Sequence, residues 1–93
     1  MRELYQTVVV SVCRHTGIDK ELLFKSNREE CVDARAILVN VLACKGVTER
    51  EIVNLTGLTQ QCINKLKNNF SLRLHKWSVT TNLQSINNEL TTE

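Results

Sequence analysis

Thr48-Glu49-Arg50-Glu51-Ile52-Val53-Asn54-Leu55-Thr56-Gly57-Leu58-Thr59-Gln60-Gln61-Cys62-Ile63-Asn64-Lys65-Leu66-Lys67-Asn68-Asn69 reads as two short helices bent around a glycine. Thr48 and Glu51 stand three apart, the spacing of a capping box, and open a helix over about 49–56. Gly57 sits just past its end, where a residue without Cβ takes the left-handed conformation that closes the last turn. Leu58 then packs back on the first helix, and Thr59 caps the second, which runs to about Asn69. Ile52, Ile63 and Leu66 fall where a helix-turn-helix over residues 48–69 wedges its two helices against a core. The position after Ile52 is usually small because the helices cross there, and it carries Val53.

The same plan occurs at each glycine of the chain. Gly17-Ile18-Asp19, Gly46-Val47-Thr48 and Gly57-Leu58-Thr59 each place an apolar residue and then a capping residue after the glycine. Each triplet ends one helix and begins another, with connections too short for anything but helix against helix. A first helix over about 2–16 turns Leu4, Val8, Val12 and either Val9 or His15 inward. A short helical turn after Asp19 carries Leu22 and Leu23. Ser26 and Glu29 form a second capping box, for a long helix over about 27–45. Its run from Ala34 to Cys44, broken by Arg35 and Asn40, is apolar almost all round, so this helix is expected to be the buried axis. Residues Ser71–Trp77 are ambiguous, and Ser78 is a candidate cap for a last helix carrying Leu83, Ile86 and Leu90.

Composition supports an all-α, compact domain of about five or six helices spanning residues 1–93. The 93 residues include 3 glycines, no proline and 4 aromatics (two Phe, one Trp, one Tyr), which argues against a loop-rich fold or a β-sandwich. Charged residues at 24% and a net charge of +2 argue against disorder. No run approaches the roughly 20 apolar residues of a membrane span, and Val8–Val10 lacks the basic leader and cleavage site of a signal peptide. Cys13, Cys31, Cys44 and Cys62 form no Cys-x-x-Cys pair, and His15 and His75 complete no zinc ligand set. Reduced cysteines packed in a cytoplasmic protein are the expectation, with no metal or cofactor.

The second helix of the corner presents Thr59, Gln60, Gln61, Asn64, Lys65 and Asn68 outward, and none of its own residues is acidic. Asn and Gln amides can pair with adenine in the major groove, and Lys with guanine or phosphate. Charge is unevenly spread. Residues 1–51 hold 8 basic and 8 acidic side chains, whereas residues 52–88 hold Lys65, Lys67, Arg73 and Lys76 and no acid. A one-sided basic half is the footprint of phosphate contact. The competing reading is a purely structural helical corner with a solvated amide-rich surface.

Leu22-Leu23, Lys25-Ser26 and Val32-Asp33-Ala34-Arg35 in a long apolar helix, followed by the capped helix-turn-helix, resemble the C-terminal DNA-binding domain of the bacterial replication initiator DnaA. That domain belongs to the Trp-repressor-like helix-turn-helix superfamily, and the resemblance covers about residues 5–90. It implies the fold and a duplex-binding face. The family's Arg after the serine is replaced by Asn27, with Arg28 next. The family's Arg-Asp-His-Thr-Thr run at the recognition helix is replaced by Leu58-Thr59-Gln60-Gln61-Cys62, after a turn about one residue shorter. Recognition of the initiator's own origin box is therefore not implied. The nucleotide-binding Gly-x-x-x-x-Gly-Lys loop is absent from the chain.

On that reading Gln60, Gln61, Asn64 and Lys65 face base edges, Asn68 meets the rim of the groove, and Lys67 meets phosphate. Thr48, Arg50, Thr59, Lys25 and Arg28 lie near helix starts, whose free amides favour phosphate. For Arg50 a solvated pair beside Glu49 or Glu51 is the alternative. Arg35 is expected in a salt bridge with Glu51 or Asp33, and Trp77 as a hydrophobic lid under the C-terminal segment. The expected partner is double-stranded DNA, with no membrane and no small-molecule substrate. The Leu83, Ile86, Leu90 stripe could form a homodimer interface or close the core. The rival function is a protein-interaction module that kept the fold and lost DNA. Nothing carries the signature of an enzyme, because no nucleophile and base are set together.

Overall fold

The computed structural model describes residues 2–91; Met1, Thr92 and Glu93 lie outside the described residues. Seven helices follow one another among them: α1 (Arg2–Thr16), α2 (Lys20–Lys25), α3 (Glu29–Cys44), α4 (Glu49–Thr56), α5 (Gln60–Asn68), α6 (Phe70–Arg73) and α7 (Trp77–Thr91). The fold is all-α. The count exceeds the expected five or six because the ambiguous 71–77 stretch resolves into the single turn of α6, a break, and the start of α7.

α3 is the axis. Its residues Ala34, Ala36, Ile37, Leu38, Val39, Val41 and Leu42 are buried, and it packs against each of the other six helices. An all-round apolar helix has nowhere stable to sit except inside such a shell. α1 lays Tyr5, Val8, Val9 and Val12 on it, and α7 adds Val79 and Ile86. The open choice on α1 falls to Val9, which is buried. His15 instead turns toward α7, where its ring nitrogen and the Ser11 hydroxyl both engage the Glu89 carboxylate, with Arg14 Nη1 at 2.6 Å from the same group. Leu83 and Leu90 pack at the edge of the core beside buried Ile86, so this stripe closes the core.

Gly17, Gly46 and Gly57 have φ of 72°, 90° and 76°, and Ile18, Val47 and Leu58 pack inward after them. Thr48 and Thr59 cap as expected, while Asp19 occupies the N-cap of α2 without a side-chain hydrogen bond. The Ser26–Glu29 capping box does not form. Ser26 ends α2, its N–H donating to Leu22 O, so it cannot also open the next helix. Its hydroxyl accepts from Arg28 N–H two residues on, and α3 begins at Glu29. Ser78 likewise falls inside the first turn of α7 and does not precede it.

Arg35 makes no salt bridge among the described residues. Its Nε donates to Leu23 O at 2.8 Å and its Nη2 to Ser26 O at 2.7 Å, tying off the carbonyl end of α2 from inside the core. Asp33 could not have been its partner, since residues two apart on a helix point away from each other. Asp33 instead accepts from Arg73 Nη1 at 2.5 Å and Lys76 Nζ at 3.0 Å, which anchors the α6–α7 junction to the axis. Lys76 also donates to Glu29, and these two carboxylates hold its ammonium above the usual lysine range. Trp77 is not a lid. It is 81% exposed at the start of α7, on the side away from the core.

Two outcomes follow for stability. Arg35→Ala leaves two inward carbonyls without their charged donor and should cost about 2–3 kcal/mol in urea unfolding; a loss below about 0.5 kcal/mol would sink this account of Arg35. The His15 hydrogen bond, then Ser11 and Arg14, pulls the Glu89 carboxyl below its ordinary 4.5. Stability from a depressed acid is present above the unfolded value and lost as pH falls through the folded one. Thermal melts from pH 7 to pH 3 should therefore show the wild type falling toward Glu89→Gln, and the difference between them shrinking below about pH 4.5.

Candidate nucleic-acid interface

α4 and α5 meet at the turn that Gly57 makes possible. Gly57 N–H donates to Val53 O at 2.9 Å, closing α4, and its φ of 76° lies in the left-handed region. Thr56 braces the turn, its hydroxyl donating to Ile52 O at 2.7 Å and accepting from Leu58 N–H at 3.1 Å. Below the corner Ile52, Ile63 and Leu66 are buried, and half-buried Val53, Leu58 and Cys62 fill its edges. Val53 is accommodated at the crossing.

The two helix starts are built as the sequence implies. Thr48 N–H and hydroxyl both donate to Glu51 Oε1 (3.4 and 3.0 Å), and Glu51 N–H donates back to Thr48 Oγ1 at 3.2 Å. Thr59 Oγ1 accepts from Cys62 N–H at 3.1 Å. Both hydroxyl oxygens are thus engaged as caps, and the Thr48 hydroxyl proton is already given to Glu51.

Thr59, Gln60, Gln61, Asn64, Lys65 and Asn68 are all exposed along α5. They are not equivalent. Gln60 Nε2 donates to Glu49 Oε2 at 2.8 Å and to Asn64 Oδ1 at 3.2 Å, and half-buried Lys67 donates to Glu49 Oε1 at 3.1 Å. The side chains of Gln61, Lys65 and Asn68 make no hydrogen bond or ion pair among the described residues. Arg50 is exposed at the start of α4 and forms no ion pair with Glu49 or Glu51 among the described residues. Lys25 and Arg28 are exposed on the separate α2–α3 corner, which no hydrogen bond or ion pair joins to α5 among those residues.

Glu49 is the site residue that sequence reasoning missed. No residue of α5 is acidic, yet the crossing of α4 over α5 sets this carboxylate against it. The separation of 11 residues from Gln60, across a turn, gives no periodicity from which the contact could be read. The basic half is also altered by folding: Lys67, Arg73 and Lys76 meet Glu49, Asp33 and Glu29 from the first half, leaving Lys65 as its cation without an ion pair among the described residues. The half-exposed Lys67–Glu49 pair is worth about 1 kcal/mol or less, but it cancels field as well as contributing energy.

All four cysteines are free, and burial pushes the Cys13 thiol up. No group of three or more metal-ligating side chains occurs among the described residues, and no helix there is long and apolar enough to cross a membrane. Comparison of the chain with protein-family models, curated proteins and solved structures returns no match.

Gly57 tests the geometry of the corner. A Cβ there meets nothing within 4 Å, so the cost of a side chain is backbone strain alone. Gly57→Ala should lose about 1–2 kcal/mol in chemical unfolding, and Gly57→Val more, because a β-branched residue tolerates the left-handed region least. Equal stability of all three proteins would contradict a left-handed closure of α4.

Proposed function

We propose that this domain binds duplex DNA, laying α5 in the major groove. The observation that carries the reading is the exposed stripe Gln61, Lys65 and Asn68, unengaged and set on a rigid, capped two-helix corner. Amides and one ammonium at helical spacing match the donor and acceptor edges of bases, and a groove about 12 Å wide admits one helix. Arg50 and the amides at the start of α4 supply phosphate contacts, with Lys25 and Arg28 contacting the backbone further along. The resemblance to the replication initiator's DNA-binding domain supports the same reading and links it to control of replication or transcription in a bacterial cytoplasm. Two copies on two half-sites would raise affinity. Since Leu83 and Leu90 pack against the core, such a dimer would form through another face.

The pairing of Lys67, Arg73 and Lys76 with acids favours a second reading, a protein-interaction module whose α5 face is covered by a partner. The two differ in salt dependence. Selection from random duplexes at about 50 mM salt should return an enriched site if the first reading holds. Gln61→Ala should then relax preference at one position, while Lys65→Ala should cut affinity and, if it meets phosphate, flatten the salt slope by about 1. Absence of any duplex binding, with a salt-insensitive protein complex in its place, would favour the second.

A further inference from the structure

The exposed side of α5 carries two parallel stripes. Gln60, Asn64 and Lys67 follow the spacing of one helical face, and Gln61, Lys65 and Asn68 repeat it one residue on. The first stripe is held by a single carboxylate from α4: Glu49 Oε2 takes Gln60 and Oε1 takes Lys67, while Gln60 passes a further hydrogen bond to Asn64. Gln60 and Lys67 lie about 10.5 Å apart along the axis, so one acid between them ties down two turns of helix. Nothing engages the second stripe among the described residues.

We infer that Glu49 is a specificity-determining residue of this surface, committing Gln60 and Lys67 to the protein and leaving Gln61, Lys65 and Asn68 to read the ligand. The inference rests on the duplex reading above. A free lysine on a groove-facing helix attracts any phosphate in any register, so it adds most to sequence-independent binding, where many registers are open, and least to the single register of the correct site. A lysine already neutralised by a carboxylate releases no counterion on binding. Glu49 therefore lowers sequence-independent affinity more than affinity for the correct site. Glu49 also fixes the amide orientation of Gln60, whose nitrogen faces the acid.

Glu49→Gln is close in shape, and the Thr48–Glu51 capping box that opens α4 does not use it. Glu49→Ala serves as a second variant, and a circular-dichroism melt verifies that each is folded. Anisotropy titrations should compare each variant with the parent on a random-sequence duplex and on the duplex selected by the parent, across a salt series. For the random duplex the slope of log affinity against log salt should steepen by about 0.9 and the affinity at about 50 mM salt should rise roughly tenfold. The ratio of selected to random binding should fall, and in a Lys67→Met background the added slope should vanish. Unchanged slope and ratio in both variants overturn the role of Glu49 while leaving duplex binding intact. An added slope that survives Lys67→Met overturns it too. If neither the parent nor the variants bind any duplex at about 50 mM salt, the duplex reading fails and the inference falls with it.

Discussion

The burial of α3 on every side is the constraint from which the rest of the structure follows. A helix that is apolar almost all round must be enclosed, and the other six helices are the enclosure. Its polar residues are consequently put to use. Arg35 ends α2 by taking the carbonyls of Leu23 and Ser26, and Asp33 fixes the α6–α7 junction through Arg73 and Lys76. Two residues of one helix thereby set the positions of three neighbouring segments. A buried guanidinium or carboxylate is tolerated only with such partners, which is why each has them.

The corner of α4 and α5 leans on the same axis but is finished by its own local chemistry. Threonine caps start both helices, a left-handed glycine ends the first, and Ile52, Ile63 and Leu66 press the pair inward. The outer side of α5 is then free to differ from the rest of the surface. Its two stripes divide the polar residues into those held by Glu49 and those left open, a division that bears on selectivity more than on raw affinity.

Much of the fold could be read along the chain. Each Gly-apolar-cap triplet marks a helix junction, because the conformational freedom of glycine and the capping role of Thr act within a few residues. The apolar run after Ala34 identifies the axis for a similarly local reason. Errors arose where one residue could serve two local roles. Ser26 reads as a start for α3 but ends α2, since its backbone N–H is used by Leu22 O. Trp77, expected as a hydrophobic lid under the C-terminal segment, begins a helix on the solvent side.

The charge pattern separates the two levels most clearly. By itself the sequence determined most of the helices, their order, the Thr48 and Thr59 caps and a C-terminal half with cations and no acids over residues 52–88. Only the tertiary structure decided how much of that charge stays open, because ion pairs join residues 18 to 47 positions apart. Folding brings Glu49, Asp33 and Glu29 onto Lys67, Arg73 and Lys76 and leaves Lys65 outward. Helix periodicity is a property of neighbours along the chain, whereas the field at a surface depends on which distant groups the packing brings within a few ångströms.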